Sequence, residues 1–110
     1  MARPRNIPID ISQGATKDVT IAFDDKPDLT SAEGYIIVKR HAVDEQNVLC
    51  KPFDLERSTK KDTGELVFVF VPSDTINLPP RAYTYEVKVV IGEDVYVPLM
   101  GDFSVFSILD

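Results

Sequence analysis

Hydrophobic and polar residues alternate along much of the chain, and this alternation predicts β-strands. Between residues 83 and 89, apolar residues occupy every odd position and polar residues every even one. Because successive side chains of a strand point to opposite faces, this segment predicts a strand with one buried and one wet face. Residues 66–71 are apolar throughout. That pattern predicts a short strand covered on both faces.

A short, rigid corner is predicted between these two strands. Asp74 and Thr75 can cap a single helical turn, and Pro79 with Pro80 prevents that turn from growing into a helix. Tyr83 or Tyr85 is placed to form a tyrosine corner, in which the hydroxyl bonds backbone upstream. The region is typical of a scaffold, and it contains no catalytic motif.

Further strands are predicted at residues 7–11, 19–23, 34–40, 48–53 and 103–108, and in a hairpin that turns at residues 92–94 and returns through Val97 and Leu99. Pro8 lies inside the first of these segments, which makes it an edge strand because proline cannot donate to a ladder. Seven or eight short strands without a convincing amphipathic helix predict an all-β protein built as an antiparallel sandwich.

Length and composition predict a single domain over residues 1–110, with residues 1–6 as a mobile arm. The chain has 110 residues, of which 44% are hydrophobic, enough to bury a core. A formal net charge of -6 argues against binding nucleic acid. No long apolar run and no charged-then-apolar leader occurs, so we expect neither a membrane span nor a signal peptide, and synthesis in the cytosol.

Candidate catalytic residues are few. His41 is the sole histidine and Cys50 the sole cysteine, so a nucleophile–base pair would have to use them. We expect an exposed histidine beside a small buried thiol instead. No paired acids mark a groove. The sequence therefore predicts a protein that is not an enzyme and uses no cofactor or small-molecule substrate.

The acidic cluster Asp24, Asp25 and Asp28 is the strongest candidate for a metal site. Calcium prefers several carboxylate and carbonyl oxygens from one loop. The spacing matches no dedicated calcium loop, and Lys26 and Pro27 within it fit ordinary turn chemistry. A weak calcium site and a plain turn both remain open.

Several short motifs resemble one family of domains. They are Ile-Asp-Ile at 9–11 with Gly14 after it, Asp-Leu-Thr at 28–30, Gly-Glu-Leu-Val-Phe at 64–68, Asp-Thr-x-x-Leu at 74–78, Ala-Tyr-Thr-Tyr-Glu-Val-Lys-Val at 82–89 and Gly-Asp-Phe-Ser-Val at 101–105. Over residues 9–105 the chain resembles the immunoglobulin-like β-sandwich domains of phage and prophage tail and baseplate proteins, including the N-terminal domain of upper baseplate proteins.

The resemblance implies a virion protein, made in the host cytoplasm, whose partners are copies of itself and other tail or virion proteins. The candidate interface residues are Ile7, Ile9 and Ile11 on the edge strand, and Phe106 and Ile108 on the last strand. Strand addition at the edge needs backbone groups only, although the chain's own loops could cover both faces of the last strand. The alternative function is a monomeric adhesion or carbohydrate-binding module.

Overall fold

The computed structural model describes residues 5–23, 28–41, 43 and 46–107. These residues form eight β-strands, which confirms the prediction of an all-β protein. In chain order the strands are β1 (Arg5–Asn6), β2 (Ile9–Ser12), β3 (Lys17–Ala22), β4 (Glu33–Lys39), β5 (Leu49–Pro52), β6 (Glu65–Phe70), β7 (Arg81–Ile91) and β8 (Asp94–Phe106). A 3₁₀ turn (Lys61–Thr63) precedes β6, and one α-helical turn, α1 (Pro72–Thr75), follows it.

The strands form a six-stranded sheet and a two-stranded sheet. The large sheet has the order β1-β8-β7-β4-β5, with β2 also paired to β8, and the small sheet pairs β3 with β6. Both β1 and β2 run parallel to β8, whereas the other pairs are antiparallel. The prediction of a purely antiparallel arrangement is therefore wrong at the N-terminal strand. No hairpin joins this strand to β8, so no tight turn fixes their relative direction.

The core contains buried residues from both sheets. Phe70 on β6 and Phe103 on β8 are fully buried, and their ring centroids lie 5.5 Å apart. At Gly34 on β4, an added Cβ would lie 2.9 Å from Leu66 Cδ1, closer than carbon atoms pack. The absence of a side chain at Gly34 thus allows β4 and β6 to approach each other closely.

Strand β6 is buried unequally on its two faces. Leu66, Phe68 and Phe70 are fully buried, whereas Val67 and Val69 are half-buried, so the predicted cover on both faces is only partly met. Residues 54–58 follow the edge of β6 that β3 leaves free. Asp54 N–H donates to Val67 O at 2.7 Å, and Val67 N–H donates to Ser58 Oγ at 2.9 Å. This loop satisfies the edge without adding a strand.

Strands β7 and β8 form a hairpin through Gly92 and Glu93, with Gly92 in a left-handed conformation at φ 61°. The odd positions from 83 to 89 are buried and the even ones half-buried, as the alternation predicted. The predicted strand at 103–108 is the end of β8, which continues through Gly101. A bulge interrupts the pairing of β7 with β8 between Val87 and Val89.

The corner between the sheets is held by side-chain hydrogen bonds. Asp74 caps α1 from its third position, because Val71 N–H donates to Asp74 Oδ2 at 2.8 Å. Thr75 is buried, and its Oγ1 accepts from Gly14 N–H at 2.9 Å. Tyr83 Oη donates to Pro79 O at 2.6 Å, which confirms the tyrosine corner at Tyr83.

Candidate assembly interface

The N-terminal strand lies at one edge of the large sheet, as the sequence predicted. It is interrupted at Ile7 and Pro8, which separate β1 from β2. Arg5 and Asn6, which the sequence placed in the mobile arm, form β1 beside Leu99 and Met100. The pairing with β8 therefore begins within the segment that was predicted as an arm.

Besides its backbone pairing with β8, this edge strand is attached to the domain by two isoleucine side chains and one tyrosine hydroxyl. Ile9 and Ile11 are 6% and 3% exposed, so their side chains contribute to the domain's own core. Tyr85 Oη on β7 donates to Ile7 O at the break between β1 and β2. Burial raises the pKa of Tyr85 to about 12. Ile9 and Ile11 can therefore serve a partner through their strand's backbone edge, and not through their side chains.

The outer edge of β2 offers mainly hydrogen-bond donors. Ile7 N–H donates to Met100 O at 3.0 Å and Gln13 N–H to Phe106 O at 2.8 Å, so the alternation of a parallel ladder turns the N–H groups of Asp10 and Ser12 away from β8. The outward carbonyls are occupied, because Asp10 O accepts from Lys17 Nζ and Ser12 O accepts from Ala15 N–H.

Lys17 and Tyr85 also shape this edge, and the sequence pattern did not predict that role for either residue. A lysine at a strand edge discourages uncontrolled pairing. Lys17 follows the turn after β2, seven residues from the carbonyl that it reaches. This short separation, across a turn, was the signal in the sequence that could have indicated the contact of Lys17 with Asp10. The contact of Tyr85 spans 78 residues and had no local signal.

Exposed apolar side chains lie beside the same edge. Ile7 is 38% exposed and Phe106 is 53% exposed. Phe103 and Val105 are buried on the opposite face of β8, and Ile108 lies outside the described residues. Gln13 Nε2 donates to the carbonyl of Ile76, a residue 46% exposed, so an additional apolar side chain lies at this end of the domain.

The two candidate catalytic residues are not brought together. Cys50 pairs with Ile37 across β4 and β5, whereas His41 lies beyond the end of β4. Cys50 is exposed, so the prediction of a buried thiol is wrong. The physical reason is its register, because Cys50 shares the outward face with Ile37 while its neighbours Leu49 and Lys51 point toward the core.

Of the three acidic candidates for a metal site, Asp24 and Asp25 lie outside the described residues. The Asp28 carboxylate accepts hydrogen bonds from the hydroxyl and the backbone N–H of Thr30, and these bonds lower the pKa of Asp28. That arrangement is ordinary turn chemistry. In the described ranges, no group of three or more His, Cys, Asp or Glu side chains is placed to hold a metal ion. The calcium hypothesis stays a prediction.

No protein-family model and no curated protein matches this chain. Within the part of the chain that the structure describes, no helix is long and apolar enough to cross a membrane. The contacts of the chain's own residues are therefore the basis for assigning a function.

Proposed function

We propose that this chain is a non-enzymatic structural component of a phage or prophage virion, of the tail or baseplate type. It acts through self-assembly and through contacts with other virion proteins. The observation that carries this proposal is the N-terminal edge, where outward N–H groups of β2 lie beside the exposed side chains of Ile7 and Phe106.

The strand order supports an immunoglobulin-like sandwich. In the nomenclature of that fold, β4, β7 and β8 correspond to strands C, F and G, and β5 corresponds to C′ on the same sheet. Strands β3 and β6 correspond to B and E on the opposite sheet. The tyrosine corner of Tyr83 at the start of β7 is a further feature of such domains. Because sandwiches of this kind serve many functions, the surfaces must specify the role.

Strand addition at the edge is the mode of assembly that fits these contacts. The outward N–H groups of Asp10 and Ser12 can donate to a partner strand that supplies carbonyl acceptors. Only a short pairing is possible here. Pro8 has no N–H to donate, and Lys17 already occupies the carbonyl of Asp10. The edge is thus suited to one specific partner strand and resists open-ended pairing.

The proposal is tested by Asp10→Pro, which removes an outward N–H and leaves the ladder to β8 intact. Asp10→Ala is the matched control, because it removes the same carboxylate and keeps the N–H. We expect the proline variant to self-associate at least tenfold more weakly than the alanine variant by light scattering. Deleting residues 1–10 is a poorer test, because it removes Ile9 from the core and the acceptor of Tyr85.

Equal association of the two variants would contradict assembly through this edge. A wild-type chain that stays monomeric and captures no tail protein favours the alternative, a monomeric adhesion or carbohydrate-binding module. Such a module needs exposed aromatic side chains grouped on one surface. Tyr83 and Tyr85 are buried, and Tyr35 and Tyr96 are half-buried, so the tyrosines do not favour it.

A further inference from the structure

The outer face of the large sheet is a second surface suited to contact. Register and burial show which side chains point away from the core on β4, β5 and β8. Several of them are apolar: Tyr35 and Ile37 are half-buried, Met100 is 41% exposed, and Cys50 is exposed. An outward sheet face in contact with water usually carries polar residues at such positions.

A shallow hollow of about 200 Å³ lies in this face. Ile37, Thr84 and Met100 line it, together with the charged residues Lys39, Glu86 and Asp102. The hollow crosses three neighbouring strands, β4, β7 and β8. It can receive a projecting side chain such as Met100 of another molecule, since thioether side chains fill irregular spaces well.

The charges around the hollow are balanced. Lys39 and Lys88 oppose Glu86 and Asp102 on the same face, and none of these four side chains forms an ion pair with another described residue. The whole chain carries a formal net charge of -6, so two copies repel each other on average. These four side chains carry both signs and no net charge, and Glu33 at the start of β4 adds one carboxylate to the face, so opposite charges can meet when two copies of the face come together.

We propose that a second copy of this chain docks on the outer face of the large sheet, face to face about a two-fold axis. In such an isologous contact each surface meets its own copy, so the lysines of one molecule can reach the carboxylates of the other. This inference rests on the proposed self-assembly and identifies a second surface for it, distinct from the β2 edge.

The contact is small. Four strands spaced about 4.8 Å apart, over seven residues with a rise of about 3.3 Å, give a face of roughly 19 × 23 Å. That size lies below the roughly 800 Å² per partner of a standard stable interface. The dimer is accordingly weak. It forms at high protein concentration, or in an assembly that the β2 edge already holds together.

Two charge-reversal variants test the proposal. Lys39→Glu with Lys88→Glu makes the face acidic, and Glu86→Lys with Asp102→Lys makes it basic. Both are made with Cys50→Ser, which prevents disulfide-linked dimers through the exposed thiol. Lys60→Glu with Lys61→Glu is the control for the acidic variant, because it changes net charge equally on the turn before β6. Sedimentation velocity measures association of each variant and of an equimolar mixture.

Each face variant alone is expected to associate at least tenfold more weakly than the Cys50→Ser parent, and the mixture to associate at least as strongly as the parent. The control is expected to associate like the parent. If the parent associates and the face variants do so equally, or if mixing restores nothing, the face-to-face dimer is overturned while self-assembly through the edge stands. A parent that is monomeric at every concentration overturns both proposals.

Discussion

At the scale of single residues, Phe68 and Phe70 are the largest side chains that the small sheet contributes to the core. Both side chains have 0% exposure, and Phe70 also contacts Phe103 on the large sheet. Truncating either phenylalanine side chain to alanine removes buried carbon atoms and leaves a cavity. We therefore expect each variant to lose about 3–5 kcal/mol of unfolding free energy. Chemical denaturation followed by circular dichroism measures the loss.

Phe106→Ala is the matched control for these two variants. Its ring is 53% exposed, so the same truncation should change the unfolding free energy by no more than about 0.5 kcal/mol. A melting temperature that is nearly unchanged in both Phe68→Ala and Phe70→Ala contradicts a central position for β6.

Tyr85 predicts a specific dependence of stability on pH. Burial raises its pKa to about 12 in the folded protein, whereas a tyrosine in the unfolded chain has a pKa of about 10. Between these values the unfolded chain loses the phenolic proton and the folded chain retains it. The unfolding free energy therefore falls as pH rises from about 10 to 12, and the contribution of Tyr85 is fully present below about pH 10.

Tyr85→Phe isolates this effect. At pH 8 the variant lacks the hydrogen bond to Ile7 O and should be less stable by about 1 kcal/mol. As pH rises above about 10, the difference between wild type and variant should shrink, because only the wild type is destabilised by ionisation of this residue. Urea unfolding across that range is the measurement. A constant difference would show that Tyr85 does not resist ionisation in the folded state.

Local alternation predicted most of what these residues do, because burial of a strand follows its own sequence. It placed the odd positions of 83–89 inside and separated Phe103 from Phe106. It could not decide between Tyr83 and Tyr85 for the corner, since both face the core and only the path of residues 79–82 selects Tyr83. It also misplaced Cys50, whose exposure depends on the pairing of β5 with β4.

At the scale of elements, edge strand β5 carries a lysine that points inward and discourages pairing of this edge with another chain. Lys51 pairs with Ile36, which has 0% exposure, and its Nζ reaches Asp74 Oδ2 at 2.6 Å. The same carboxylate accepts from Val71 N–H and caps α1. An inward charge on an edge strand discourages pairing with another chain. This ion pair thus connects β5, at the edge of the large sheet, to α1, the helical turn that follows β6 of the small sheet.

Asp74→Ala removes the cap and leaves Lys51 without its carboxylate. Because hydrogen bonds to charged groups are stronger than neutral ones, we expect a loss of about 1.5–3 kcal/mol in unfolding free energy. Lys51→Met should cost less, since a methionine can pack where the lysine stem lies. Thermal and urea unfolding of both variants measure the order. A larger loss in Lys51→Met than in Asp74→Ala would contradict the expected contribution of the cap that Asp74 forms.

Strand existence could be predicted from sequence, and strand pairing could not. The N-terminal strand and the end of β8 both follow from alternation, yet their parallel contact joins residues about as far apart as the chain allows. The return strand through Val97 and Leu99 and the strand at 103–108 were predicted as two, but β8 continues through Gly101 because β7 pairs on both sides of that position. The sequence also could not show that the outer edge of β2 offers mainly donors, because this depends on Lys17 and Ala15 occupying its outward carbonyls.

At the scale of the whole molecule, the chain is a flattened body with principal extents of 43 × 30 × 20 Å. The β2 edge and the outer face of the large sheet are different surfaces that share strand β8. Two distinct self-contacts on one molecule permit assemblies larger than a dimer, because occupying one surface leaves the other available.

Sedimentation velocity of the wild-type chain under reducing conditions, over a concentration series, tests the proposed self-assembly most directly. We predict a mass that rises above the monomer value of 12.3 kDa as concentration increases and returns to it on dilution. A mass of 12.3 kDa at every concentration would contradict the account.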